Sequence, residues 1–184
     1  MENIKSRIMD ASMKLMQSKD MNSITVREIA KEARVNVASV SYYFNGKAQL
    51  FHQLMERYWA DMMSIYGSIL ADSDIDFDKA VRYGTAILNF ELQSTGVLRS
   101  EQVMYQQYGI DEATNGRIKM QFQAVAYLVR QLKPDIAETM ILPKVLSILS
   151  ALTCPGFWSD LAMQFLTDME EFKYNYVRII IESI

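Results

Sequence analysis

The sequence predicts an all-α fold, and three observations carry that prediction. Apolar residues recur at helical spacing through most of the 184 residues. Only seven Gly and three Pro interrupt them, too few for the many turns of a β fold. Runs of alternating β-branched residues are scarce. Half of the residues are hydrophobic, which supplies a sizeable core for one or two small domains. About nine helices are expected, divided into a three-helix head over residues 1–46 and a larger helical body over 47–184.

The first helix is expected from about Asn3 to Ser18, because Ile4, Ile8, Ala11 and Leu15 fall on one stripe. Lys5 and Arg7 near its start suit phosphate contact or a solvated end. The second helix opens with Thr25-Val26-Arg27-Glu28, a capping box in which Thr25 and Glu28 exchange side-chain and backbone hydrogen bonds. Val26, Ile29, Ala30 and Ala33 then give it an apolar face. Asn36 is a good N-cap for the third helix, whose Val40 and Phe44 lie four residues apart on one side. Asn45-Gly46 signals a turn, and a fourth helix opens at Lys47.

No residue between Val35 and Gly46 is charged. The outer face of the third helix is therefore Ala38, Ser39, Ser41, Tyr42 and Tyr43. A solvated face usually carries Lys, Glu or Arg, so this one suits close approach to another surface. Small side chains let a backbone come near base edges, while tyrosine hydroxyls and a helix-start lysine suit phosphate oxygens. Two short helices about a tight turn, the second with such a face, form the pattern of a helix-turn-helix whose second helix enters the major groove of double-stranded DNA. Val37, Ala38 and Ser39 are expected nearest the base edges, and Thr25, Tyr42, Tyr43 and Lys47 at phosphates. Arg27, Asn36 and Ser41 complete the candidate DNA-binding set. An ordinary helical hairpin shows similar spacings. The alternative function is a helical protein–protein interaction module that docks through Tyr42 and Tyr43.

Charge gives this reading weak support. The chain has a formal net charge of −3, but Met1 to Phe51 holds eight Lys and Arg against five Asp and Glu. The remainder holds eleven against seventeen, so a mildly basic head precedes an acidic body.

Ile8 to Phe51 resembles the DNA-binding domain of TetR-family transcriptional regulators. The residues that carry the resemblance are Ile8, Ala11, Leu15 and Ile24 to Ala30, then Ala33, Val35, Ala38 to Val40, Tyr42 to Phe44, Lys47 and Leu50. Four positions depart from the family's pattern. Arg34 stands where the turn usually has Gly, and must hold a less favourable backbone conformation. Asp20 replaces a Gly, Ser41 a frequent Tyr, and Gly46 a polar N-cap. The resemblance implies a cytoplasmic homodimer without catalytic activity or cofactor. It implies a repressor that leaves a near-palindromic operator when a small-molecule effector binds in the body.

The body follows in order. Leu50, Phe51, Leu54, Tyr58, Met62, Ile65 and Ile69 form one stripe on a long helix from Lys47 to about Leu70, a mechanical link between body and head. Asp72, Asp74, Asp76 and Asp78 mark a loop that lacks the Gly and closing Glu of a calcium site. A helix from about Phe77 to Gln93 should bury Ala80, Tyr83, Ala86, Ile87 and Phe90. A shorter one is expected over Val97 to Tyr108, a connection over Gly109 to Gly116, and a helix over Arg117 to Leu132. Another spans Asp135 to Thr153, with Pro143 either kinking it or starting a new helix, and Cys154-Pro155-Gly156 stopping it. Thr167 to Glu170 reads as a capping box for a last helix to about Glu182. Ile179, Ile180 and Ile181 make that helix apolar nearly all round, so burial on more than one face is expected.

In the related regulators the last two helices of each subunit pair in the dimer. The corresponding interface residues here are Val145, Ile148, Leu149 and Leu152 with Phe172, Tyr176, Ile179 and Ile180. The middle helices enclose the effector. Candidates to line that pocket are Trp59, Met62, Tyr66, Tyr83, Phe90, Met104, Tyr105, Tyr108 and Phe122, with Tyr127 beside them and Glu91, Arg99 and Glu101 as charged handles. Core packing accounts for each of these equally simply.

Enzyme and metal readings find little to build on. His52 is the only histidine and sits on a helix without a supporting motif. Cys154 is the only cysteine, which excludes an intrachain disulfide and fits a reducing compartment. No His/Cys cluster has metal spacing and no Gly-rich loop would cradle a phosphate. The first residues lack an apolar signal core, and no uncharged apolar run is long enough to span a membrane.

Overall fold

The computed structural model describes residues 3–17, 19, 21–97, 100, 109, 111–162 and 168–184, and for 156–162 the backbone alone. These residues form eight helices and no strand: α1 (Ile4–Met16), α2 (Val26–Glu32), α3 (Val37–Phe44), α4 (Lys47–Ala71), α5 (Phe77–Gln93), α6 (Glu112–Leu132), α7 (Glu138–Ala162) and α8 (Met169–Glu182). Most of the helix expected over Val97 to Tyr108 lies outside the described residues, as does Asp20. The chain divides into two compact units, Met1–Ala60 with Ser94–Gly109, and Asp61–Gln93 with Ile110–Ile184. Contacts thus draw the division inside α4, and return a segment beyond α5 to the first unit.

The first unit is built on a small apolar core. Ile8, Ala11 and Met16 of α1 are buried with Ile29, Ala30, Val40 and Phe44. The α1 stripe is turned slightly from the expected one: Ile4 is exposed and Leu15 half-buried, while Met16 and Ser12 face inward. Ser12 tolerates full burial because its hydroxyl donates to the Ile8 carbonyl at 2.8 Å. Leu50, Phe51, Leu54 and Tyr58 extend the core along α4. Ser94 to Val97 are buried in the same unit, and Gly96 lies against the backbone at the end of α1.

The second unit holds the rest of α4 with α5 to α8. Met62, Tyr66 and Ile69 continue the α4 stripe, with Tyr66 taking the inward place expected of Ile65. On α5 the buried face is Ala80, Val81, Gly84, Ile87, Leu88 and Glu91, about one position round from the expected one, so Ala86 is exposed and Tyr83 and Phe90 half-buried. Gly84 explains the rotation: a Cβ there would lie 2.7 Å from Val177 Cγ1, so α8 packs closely along the glycine face. The aspartate loop is organised by a lysine. Lys79 Nζ donates to Asp72 Oδ1 at 3.0 Å and to the Asp74 carbonyl, and Asp76 Oδ1 accepts from the Lys79 backbone as a cap.

Three boundaries differ from expectation, each for a local reason. The connection expected over Gly109 to Gly116 is helical from Glu112, because Asp111 caps α6 by accepting from Thr114 N at 2.7 Å. The cap of α8 is Asp168, whose carboxylate accepts from both Glu170 N and Glu171 N; Thr167 lies outside the described residues. Cys154-Pro155-Gly156 does not stop α7, which contains both Pro143 and Pro155 and runs to Ala162. Pro155 has no N–H for the carbonyl of Ala151, but the Tyr176 hydroxyl donates to that carbonyl at 2.8 Å. Tyr176→Phe should therefore destabilise the chain by about 1 kcal/mol, a fall of roughly 2–4 °C in the thermal midpoint. An unchanged midpoint in calorimetry would show that α7 does not depend on this bond.

Candidate nucleic-acid interface

α2 and α3 form a helix-turn-helix whose start is fixed by the expected capping box. Thr25 Oγ1 accepts from Glu28 N at 3.2 Å, and Thr25 N donates to Glu28 Oε2 at 2.8 Å. Lys19 bridges to Glu28 Oε1 and Lys14 to Glu32, so two of the head's basic side chains are matched to acids on α2. The Lys19 ammonium and the Thr25 bonds hold the Glu28 carboxyl well below its usual range, at about 2. A depressed carboxyl contributes stability above the unfolded value of 4.5 and loses it as pH falls toward 2. Thermal melts of the whole chain should therefore decline more steeply over that window than those of Glu28→Gln. Parallel declines would contradict this assignment.

The turn between the helices is tight. Val35 N donates to the Ala30 carbonyl at 2.9 Å, and Arg34 takes a left-handed φ of +53°. The sequence departure at Arg34 is thus a real backbone constraint rather than an altered turn. Arg7 of α1 meets it there: Nη2 donates to the Ala33 carbonyl at 2.6 Å and to the Arg34 carbonyl at 3.0 Å. The Arg7 side chain is engaged at the turn, a role its position near a helix start did not reveal.

α3 then opens on Asn36, whose Oδ1 accepts from Ala38 N at 2.9 Å, and closes on Asn45 at φ +55°. Val40 and Phe44 are 0 and 1% exposed and anchor the helix inward. Val37, Ala38, Ser41, Tyr42 and Tyr43 are exposed and Ser39 is half-buried. Tyr42 is 82% exposed, and its ring meets Tyr43 edge to face at 5.0 Å between centroids. The structure therefore presents one uncharged face of small residues and two tyrosines on a rigid, doubly capped helix.

The remaining candidates are placed less simply. Arg27 is exposed on α2. The Thr25 hydroxyl is committed to the capping box, also donating to Glu28 Oε2 at 2.7 Å. Lys47 Nζ donates to the Asn22 carbonyl at 3.0 Å and lies 5.6 Å from the centre of the Phe51 ring. Both groups must exchange these bonds to reach a phosphate. Lys5 lies over the Phe44 ring at 5.5 Å.

In the second unit Met62 and Tyr66 are buried, whereas Phe122 and Tyr127 are half-buried; Met104, Tyr105, Tyr108, Arg99 and Glu101 lie outside the described residues. Trp59 belongs to the first unit, its ring edge to face with Tyr58. Tyr83 donates to Asp72 Oδ2 and the Ser68 carbonyl, and Tyr127 to the Asp72 carbonyl, so both have structural partners. Glu91 is 2% exposed; burial first, and then the Glu91 charge, push the buried Tyr66 phenol up. A surface groove of about 520 Å³ runs along α5, lined by Asp78, Val81, Arg82, Thr85, Ala86, Asn89 and Tyr174. None of the expected effector-lining residues borders it.

Of the expected dimer residues, Val145, Ile148, Leu149, Leu152 and Ile180 are buried within the chain itself. Phe172 and Tyr176 stack on each other at 5.3 Å. Among the described residues, the large apolar side chains exposed on α7 and α8 are Met140, Leu142, Leu146, Tyr174 and Ile179, and Ile179, 66% exposed, is one of those expected at the interface.

Among the described residues, no group of acids, His and Cys could hold a metal ion. His52 is exposed, 3.5 Å from the Glu56 carboxylate. No helix of the described residues is long and apolar enough to cross a membrane.

Residues 8–54 match the model for bacterial regulatory proteins of the tetR family. The probable HTH-type transcriptional regulator YttP of Bacillus subtilis (strain 168) is 42% identical over 55 residues, which are 30% of this chain and 27% of that protein. The matched stretch thus spans about a quarter of the relative's length. The fold is also that of solved regulators across nearly the whole chain. A tetR-family regulator from Streptomyces coelicolor superposes with a TM-score of 0.65 at 14% identity, over 100% of this chain and 79% of its own. A HlyIIR mutant protein gives 0.59 at 21% identity, over 98% and 94%. The regulator FadR from Bacillus subtilis, solved with stearoyl-CoA, gives 0.55 at 12% identity, over 97% and 98%. The helix-turn-helix thus lies in a stretch that matches bacterial regulatory proteins of the tetR family, and the all-α fold is shared with a solved tetR-family regulator.

Proposed function

We propose that the chain is a cytoplasmic transcriptional regulator that binds double-stranded DNA as a homodimer and represses from a near-palindromic operator. The observation that supports this most strongly is the uncharged outer face of α3, exposed on a helix anchored by Val40 and Phe44. Val37, Ala38 and Ser39 face base edges in this reading. Arg27, Tyr42 and Tyr43 reach phosphates, and Thr25, Asn36, Ser41 and Lys47 border the contact.

Dimer formation is supported by Met140, Leu142 and Leu146 on α7 and Ile179 on α8, large apolar side chains left open to solvent. Val145, Ile148, Leu149, Leu152 and Ile180, first expected there, are buried within the subunit, so Ile179 and the exposed α7 residues carry the proposed interface.

A small-molecule effector in the second unit releases the DNA. Buried Tyr66 and Glu91 give that unit's apolar interior a polar pair, and FadR, of the same fold, was solved with stearoyl-CoA. α4 contributes to both units and is the candidate transmitter. Linkage requires effector and DNA to weaken each other by the same factor.

Selection from a random duplex library on the immobilised full chain tests the DNA reading. It should enrich one near-palindrome with half-sites about 10 base pairs apart, or a multiple of that spacing. No enrichment, with a protein partner captured through Tyr42 and Tyr43, would favour the interaction module.

A further inference from the structure

We infer that Arg7 is a positioning residue for DNA reading, which sets the recognition helix through the turn rather than by touching phosphate. The inference rests on the DNA-binding reading above and assigns a function to an α1 side chain that lies off the α3 face. Three observations meet at one place. Arg34 holds φ +53° without the freedom of a glycine, so the turn carries a backbone conformation that its side chain disfavours. The turn follows the C-terminal end of α2, where carbonyls lack helical partners and negative potential gathers. One Arg7 nitrogen donates to two successive carbonyls there, Ala33 at 2.6 Å and Arg34 at 3.0 Å.

A guanidinium suits this position. Its charge answers the helix end, and its planar fork lets one nitrogen span both carbonyls. The two bonded carbonyls belong to the peptides that enter and leave Arg34, so the bonds fix both sides of its backbone and favour the left-handed conformation. Only Val35 then separates Arg34 from the Asn36 cap. A relaxed turn would therefore re-aim α3 as a body, moving Val37, Ala38 and Tyr42 together. The bonds also keep the Arg7 head group on the turn, so it is not counted among the phosphate contacts.

Two variants separate this role from the alternatives. Arg7→Met removes the bonds, and Arg34→Gly removes the backbone penalty. In fluorescence anisotropy with an operator selected from a random library, Arg7→Met should bind roughly tenfold more weakly, the scale of one left-handed residue's penalty. Its slope of log affinity against log salt should match the native slope, because no phosphate contact is lost. Arg34→Gly in the same chain should restore most of the affinity. Amide exchange provides a readout without DNA: Val35 N–H, which donates to Ala30, should lose protection in Arg7→Met and regain it in the double variant.

A slope reduced by about one unit, with no rescue by Arg34→Gly, would make Arg7 a phosphate ligand and overturn the inference. Unchanged Val35 protection in Arg7→Met would overturn it as well. Selective native binding with an unaffected Arg7→Met removes only this role. Absence of selective binding by the native chain removes the DNA reading, and the exchange experiment then still decides whether Arg7 holds the turn.

Discussion

Ala38→Glu should lower operator affinity by about a hundredfold or more while leaving the fold intact. Ala38 is the second residue of α3, exposed, in the middle of the uncharged face. A glutamate there brings bulk to the closest approach with the bases and negative charge to a polyanion. Lost base contacts are each worth about 1–3 kcal/mol, and repulsion from phosphates adds to them. The same substitution is benign for the protein alone, since an acid in the first turn suits the helix dipole. Thermal unfolding should be unchanged or slightly raised. Loss of DNA binding with an unchanged melt separates recognition from folding. Undiminished binding would mean that α3 presents another face to DNA, or none.

Gly96→Ala should be the most destabilising single-methyl change in the first unit. A Cβ built on Gly96 would lie 1.5 Å from the Met16 carbonyl oxygen and 2.2 Å from its carbon. Those atoms are backbone at the end of a helix, so no side chain can rotate away. The neighbours are tightly packed, with Met16 and Val97 both buried. Overpacking of this kind costs about 3 kcal/mol, which in a chain of this length lowers the thermal midpoint by roughly 6–12 °C. Gly46→Ala makes a useful comparison, because nothing lies within 4 Å of its Cβ and its cost arises from φ +110° alone. A midpoint for Gly96→Ala within 2 °C of native would show that the segment after α5 does not pack on α1 as described.

Much of the head was legible because its signals are local. Thr25 and Glu28 are three residues apart, and Asn36 caps the helix that follows it directly. Val40 and Phe44 point inward because four-residue spacing fixes their common face. What sequence could not supply depended on partners distant in the chain. Arg7 meets a turn 26 residues on, which nothing in its own neighbourhood announces. Pro155 reads as a stop until Tyr176 is known to satisfy the carbonyl it frees. The α5 face was misread by about one position because a glycine, weightless in an apolar pattern, is where α8 comes closest. α7 carries apolar residues all round, so its pattern does not say which of them turn inward. Val145, Ile148, Leu149 and Leu152, expected at a partner, are buried already within one subunit, while Leu142 and Leu146 are left outside.

The central claim is that α3 reads DNA, and salt-dependent anisotropy tests it most directly. Labelled duplex carrying the selected near-palindrome would be compared with random duplex of equal length at several salt concentrations. The account predicts selective binding by the native chain, with a negative log–log salt slope of about 0.9 per phosphate contact. Equal weak binding to both duplexes, or no binding even at low salt, would contradict it.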